Sequence, residues 1–145
     1  MQRSLLIVGA AAALLIAWSI GRVQGQQEGA NQVVFASPDQ AKFTEARKGS
    51  SMAPIWGDAN MGAHGTFTKF VPAFDAGMHT HTNDVWIVVI KGAYIYKDDA
   101  GEKRVGPGDF IRVPGGHKHW SGGDKKLGAL FYEESSGKFD LIPAK

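Results

Sequence analysis

The chain has 145 residues, with 16 Lys and Arg against 14 Asp and Glu, five His and no Cys. Without cysteine there can be no disulfide, thiolate metal ligand, cysteine nucleophile or lipoprotein attachment site. The charge balance carries no basic footprint for nucleic acid, and removal of an N-terminal signal holding Arg3 and Arg22 leaves 14 basic residues against 14 acidic ones.

Residues 1–25 read as a secretion signal. Arg3 supplies the positive start, and Leu5 to Ile20 is an apolar run interrupted only by Gly9 and Ser19. Val23-Gln24-Gly25 gives the compact residues that a signal peptidase requires, with the mature chain starting at Gln26. At 16 residues the run is shorter than the roughly 20 that cross a bilayer. Export to the periplasm or medium is therefore expected, with no membrane association after cleavage. Residues 26–32 form a polar, Gly-containing tether. Residues 33–145 are expected to make one domain, long enough for a proper core.

Short apolar runs separated by Gly, Pro and Asp then follow in sequence. Val33-Val34-Phe35 reads as a first strand ended by Ser37-Pro38-Asp39, and Gln40 to Arg47 as a short helical turn. Further strands are expected at Met52–Trp56, Gly65–Phe70, Val85–Ile90, Ala93–Tyr96, Phe110–Val113, Leu127–Tyr132 and Phe139–Ile142. Asp99-Ala100-Gly101 is the tip of a hairpin joining Tyr94-Ile95-Tyr96 to Lys103-Arg104-Val105. Turn signals recur at roughly 8–12 residues and no helical period appears after the signal. The pattern predicts an all-β sandwich or barrel. Trp86, Tyr94, Tyr96, Phe110, Trp120 and Phe131 are expected mostly to pack core or sheet. Phe67 and Phe70 are candidates to wall a cavity.

Four of the five histidines fall in two segments, His79-Thr80-His81 and Pro114-Gly115-Gly116-His117-Lys118-His119. On an extended backbone His-X-His turns both imidazoles to one face, because side chains alternate with period two. The second segment follows two strand-like runs and can fold back to close a metal site. Imidazole donors suit zinc, copper, iron or nickel better than magnesium or calcium. His64, between Ala63 and Gly65, reads as an ordinary loop residue.

Gly77-Met78-His79-Thr80-His81 followed by Val85 to Gly92 resembles the first cupin motif, Gly…His-X-His-X3-Glu-X6-Gly. Gly108 to His119 is similar to the second, Gly-X5-Pro-X-Gly-X2-His-X3-Asn. The resemblance runs from about Gly57 to Glu133. It implies a single antiparallel jelly-roll barrel with a metal inside one mouth, and a homodimer. It is nearest to small exported cupins and to the metal-binding cupin modules of anti-sigma factors. Two positions depart from the pattern: the motif glutamate falls at Val85, and the closing asparagine at Gly123. The implied ligands are then three imidazoles, His79, His81 and His119, holding a divalent transition metal (zinc, iron, copper, nickel or manganese) with open positions for water or a ligand. Three neutral donors leave the ion its full charge, which favours an anionic ligand. Asp84 joins the site only if the chain after His81 departs from regular strand. His117 joins the ligands only if Pro114 to His119 is extended; otherwise it lines the mouth as the candidate catalytic group, a supporting or proton-transfer residue. Arg112 either faces the cavity to hold a carboxylate or lies on a solvated strand face. The expected function is an exported metal-binding cupin with a small-molecule ligand. The alternative is a metal-dependent oxygenase, such as a non-haem dioxygenase, or a metal-assisted hydrolase or isomerase.

Overall fold

A computed structural model describes residues 33–145. The expected signal, 1–25, and tether, 26–32, lie outside the described residues. Eleven strands follow in chain order: β1 (Thr44–Arg47), β2 (Ser50–Gly57), β3 (His64–Phe70), β4 (Asp75–Thr80), β5 (Val85–Gly92), β6 (Tyr94–Asp98), β7 (Gly101–Val105), β8 (Phe110–Val113), β9 (His119–Gly123), β10 (Ala129–Ser135) and β11 (Ile142–Pro143). Among the described residues there is no helix. The strands form two antiparallel sheets, one of six in the order β1-β2-β3-β10-β5-β8 and one of five in the order β11-β4-β9-β6-β7. β10 is inserted between β3 and β5, and β9 between β4 and β6, so the chain crosses repeatedly from one sheet to the other. This is an all-β jelly roll.

Alternation explains which side chains meet between the sheets. Val85, Ile87 and Val89 project from one face of β5, and Phe131 from the neighbouring β10; all are almost fully buried. They pack with Tyr94, Tyr96, Val105, Val113 and Ala129 into one apolar cluster. Phe70 contributes its ring to Phe131 (centroids 4.9 Å apart) and to Phe74 (4.3 Å). The expected hairpin is present, with Asp98 opposite Gly101 across Asp99-Ala100.

Several local expectations differ from the structure; of the strand expected at Phe139–Ile142, only Ile142 is in one. Val33-Val34-Phe35 is not a strand; no neighbouring strand offers it a ladder, and its side chains are exposed. The segment expected as a helical turn contributes β1 instead. There Lys48-Gly49 reverses the chain, with Gly49 at φ +82°, and pairing to β2 overrides the local helix preference of Glu45-Ala46-Arg47. Asp75–Thr80, not among the expected strands, forms a bulged strand despite its lack of an apolar alternation, because β9 and β11 pair with its two edges. Phe110 is 62% exposed on the edge strand β8 rather than packed in the sheet interior.

Phe131 has no exposed surface and touches both aromatic and aliphatic parts of the core. Phe131→Ala should cost about 3–5 kcal/mol. The check is a lowered urea midpoint at unchanged slope.

Candidate metal centre

β4 and β9 are antiparallel neighbours, with His79 directly opposite His119. His81 follows the end of β4 on the same side, two residues on, as period-two alternation requires. The three imidazoles meet with ring centroids 4.3–5.4 Å apart. One ligand atom from each lies within 4.8 Å of the others.

What orients the rings is the backbone. The Nδ1–H of His79 donates to the Gly77 carbonyl (2.8 Å), that of His119 to the His117 carbonyl (3.0 Å), and that of His81 to the Asp140 carbonyl. Committing Nδ1–H in each ring leaves the Nε2 lone pair free, the arrangement of a metal-ligating histidine. His119 Nε2 is buried and has no hydrogen-bond partner. Such an orphaned acceptor beside two others costs stability unless a cation or donor meets it. The donor set therefore fits a divalent transition ion.

Each of these local conformations has a sequence cause. β4 carries a bulge between Asp75 and Met78, where Gly77 takes φ +76°, a conformation open to glycine and strained for other residues. Asp75 Oδ1 accepts from the Gly77 amide (2.7 Å) and from Trp120 Nε1 (2.6 Å), pinning the bulge from which the Gly77 carbonyl points at His79. The chain end supplies the third anchor. β11 pairs with β4, and the Asp140 carboxylate accepts from the Thr82 amide (2.9 Å) and its hydroxyl. Phe139 lies against His81, with ring centroids 5.8 Å apart.

Burial lowers the pKa of all three histidines, that of His119 to about 4. They are thus neutral at pH 7, the form that ligates.

The remaining sequence candidates lie elsewhere. Asp84 is held on the outside: its Oδ2 accepts from Arg112 Nε (3.1 Å) and Nη2 (2.5 Å), and its Oδ1 from the Gly115 amide (2.8 Å). That pair also accounts for Arg112, which faces solvent rather than the cavity. His117, with 44% of its side chain exposed, places Nε2 3.1 Å from Asp98 and does not line the cavity. Its contribution to the centre is the carbonyl that holds His119. Asp98 also accepts the Tyr96 hydroxyl (2.8 Å), and the Tyr96 ring stacks on His119. His64 is no loop residue: it opens β3, is buried, donates Nδ1–H to the Gly62 carbonyl (2.9 Å), and stands outside the three-histidine group. Val85, the motif-glutamate position, is packed in the apolar cluster. Phe70 walls the cavity; Phe67 turns away and packs against Tyr132.

Between the two sheets a cavity leaves about 110 Å³ for the centres of water-sized molecules. His79 and His81 lie on one side, and Met52, Phe70, Phe139 and Leu141 form apolar walls. Across from the histidines stands Glu133 of β10, a carboxylate that the motif comparison does not contain. It is only 7% exposed, and its pKa is pushed up to about 7 by burial. Its signal was present in Ala129-Leu130-Phe131-Tyr132-Glu133-Glu134-Ser135, where alternation puts Glu133 on the face of Phe131.

These shifts have opposite signs in stability. The unfolded chain protonates its histidines near pH 6.5, before the folded one does, so their contribution is present above that pH. It is lost as pH falls toward 4, the value for His119. Glu133 is raised from 4.5 to about 7, so its contribution is present below pH 4.5 and lost as pH rises through 7. Metal-free Glu133→Gln should match the parent near pH 4.5 and exceed it above pH 7 in urea unfolding; a pH-independent difference would contradict the burial. Val85→Glu should destabilise the metal-free protein by roughly 3 kcal/mol, the cost of an unpaired carboxylate in an apolar cluster. Zinc should recover part of that loss if residue 85 reaches the ion, which paired melting curves would read.

A cupin domain family model matches residues 66–130, which contain all three histidines of the group. No curated protein is a significant sequence match. Among solved structures the chain resembles the polyketide cyclase RemF from Streptomyces resistomycificus, at 17% identity and a TM-score of 0.66, covering 79% of this chain and 87% of that one. KdgF from Halomonas sp. superposes with a TM-score of 0.58 at 17% identity, over 70% of this chain and 94% of that one. An RmlC-like cupin from Shewanella frigidimarina gives 0.58 at 17% identity, over 72% and 92%. Both histidine segments fall inside the stretch that the cupin domain model matches, 66–130, and the chain shares the jelly-roll fold of these structures.

Proposed function

We propose that this protein is an exported metal-binding cupin whose His79, His81 and His119 hold one divalent transition ion, leaving positions open toward the cavity for a small organic ligand. The observation that carries this reading is the set of three neutral imidazoles with every Nδ1–H committed to a backbone carbonyl. An ion bound by neutral donors alone would supply Lewis acidity at its full charge, favouring an anionic oxygen ligand. The chain's own groups do the rest: Met52, Phe70, Phe139 and Leu141 cover the ligand's apolar part and exclude water. Export rests on the signal pattern of residues 1–25.

A second reading, catalysis, is favoured by Glu133. A buried carboxyl with its pKa near 7 exchanges a proton at neutral pH, which suits metal-assisted isomerisation or hydrolysis. An oxygenase would not need that group, and the resemblance to RemF, a polyketide cyclase, agrees with an enzyme on this fold. His117 is exposed and paired to Asp98, and has no part in this reading.

Metal analysis of protein purified from its own compartment tests the central claim. His79→Ala, His81→Ala and His119→Ala should each lower the bound metal at least tenfold and abolish the rise in melting temperature on adding metal. His64→Ala should lower stability but keep the metal. Loss of metal in His64→Ala with retention in His119→Ala would overturn the three-histidine site.

A further inference from the structure

Among the described residues Glu133 is the one acid in the cavity wall, and no hydrogen bond or ion pair there engages its carboxyl. β10 lies in the middle of the six-stranded sheet, with Glu133 opposite Thr66 on β3 and Ile87 on β5. Its neighbours along the inward face are Phe131 and Ser135, both buried. Burial alone shifts its pKa, with no hydrogen bond or ion pair in the opposite direction. Arg47, the cation at the cavity rim, directs its guanidinium to the Ala76 carbonyl and the Phe74 ring. The Thr66 and Thr68 hydroxyls bond to one another. A carboxyl on a residue more than nine-tenths buried, lining a cavity and with no partner among the described residues, carries a desolvation cost that a ligand can repay. Nor is it a fourth metal donor here, since it stands outside the group formed by the three histidines.

The two sides of the cavity therefore ask for different ends of one molecule. The histidine side, once it holds an ion, attracts an anion. Glu133 repels an anion and accepts hydrogen bonds from a hydroxyl or an ammonium group. We propose that Glu133 receives the hydrogen-bond-donating end of a small bifunctional ligand, a hydroxy- or aminocarboxylate, whose carboxylate lies on the histidine-held ion. This inference rests on the metal-site reading. The apolar walls then cover the carbon chain between the two ends. A space of about 110 Å³ for water-sized centres exceeds by several-fold the roughly 10–15 Å³ needed for a single water. It thus admits a chain of a few carbons.

The test uses the full protein loaded with cobalt(II), whose visible absorption reports both metal occupancy and ligand arrival. The probes are propanoate and butanoate, their terminal hydroxy acids, and their terminal amino acids, titrated at pH 8. In the parent, the hydroxy and amino acids of at least one chain length should bind roughly tenfold or more tightly than the plain acid, as expected for a bond to a charged group. In Glu133→Gln the amino acid should lose its advantage while the hydroxy acid keeps most of it, because the amide accepts a hydrogen bond but carries no charge. In Glu133→Leu the three classes should bind alike, and the melting temperature should stay the same or rise.

If cobalt gives no histidine-bound spectrum in the parent, the metal-site reading falls, and this inference with it. If cobalt binds but the three classes bind the parent alike, Glu133 is not the recognition group and the metal site stands. A preference that survives in Glu133→Leu overturns the proposal in the same way. So does a drop in melting temperature for both variants with unchanged preferences, which marks a structural carboxyl.

Discussion

The site depends on three backbone carbonyls. Those of Gly77, His117 and Asp140 each take the Nδ1–H of one histidine and so decide where its other nitrogen points. A histidine on a strand can rotate about two side-chain bonds; a ring with Nδ1–H tied to the main chain cannot. Preorganisation of this kind would let three weak donors act as one site, because the orientation of the rings is settled in the absence of an ion. The carbonyls come from three parts of the chain: a strand bulge, the turn before β9, and the C-terminal segment. Much of the fold is needed to bring them together.

The same fold explains where the carboxylate stands. The cupin motif puts an acid at the start of β5, and here that position is Val85, packed with Ile87 and Val113. The neighbouring strand carries Glu133 instead. Val85 pairs with Ser135, so Glu133 is its diagonal neighbour across the β5–β10 ladder. The inner face of the six-stranded sheet thus keeps an acid but moves it one strand over and out of the histidine group. An acid bound to the ion would neutralise part of its charge. Under the proposed reading, an acid across the cavity would leave that charge intact and add a second recognition point.

Outward-facing polar residues stiffen the mouth. Asp84 joins Arg112 to the Gly115 amide, tying the segment after His81 to the turn before His119. Gly115 sits close to the Thr82 carbonyl, where a Cβ would come within 2.4 Å, so a larger residue would push the two histidine segments apart. Asp98 joins His117 to the Tyr96 that stacks on His119. The acids near the histidines in sequence serve as braces, while the acid that enters the cavity is remote in sequence.

Period-two alternation and the turn residues were enough to read the all-β class, the β6–β7 hairpin and the shared face of His79 and His81, because those features depend on spacing along one strand; the choice of His119 as the third came from the resemblance to the cupin motifs. The alternation in β10 also pointed to Glu133, but an acid flanked by Tyr132 and Glu134 looks like the solvated end of a strand until β3 and β5 close over it. Only the tertiary structure decided that His64 is buried, that Gln40 to Arg47 contributes a strand, and that Asp140 anchors His81. Each of these is a pairing between segments far apart in the chain. A linear pattern records which residues can share a face. Which faces end up opposite one another is settled by the packing of the two sheets.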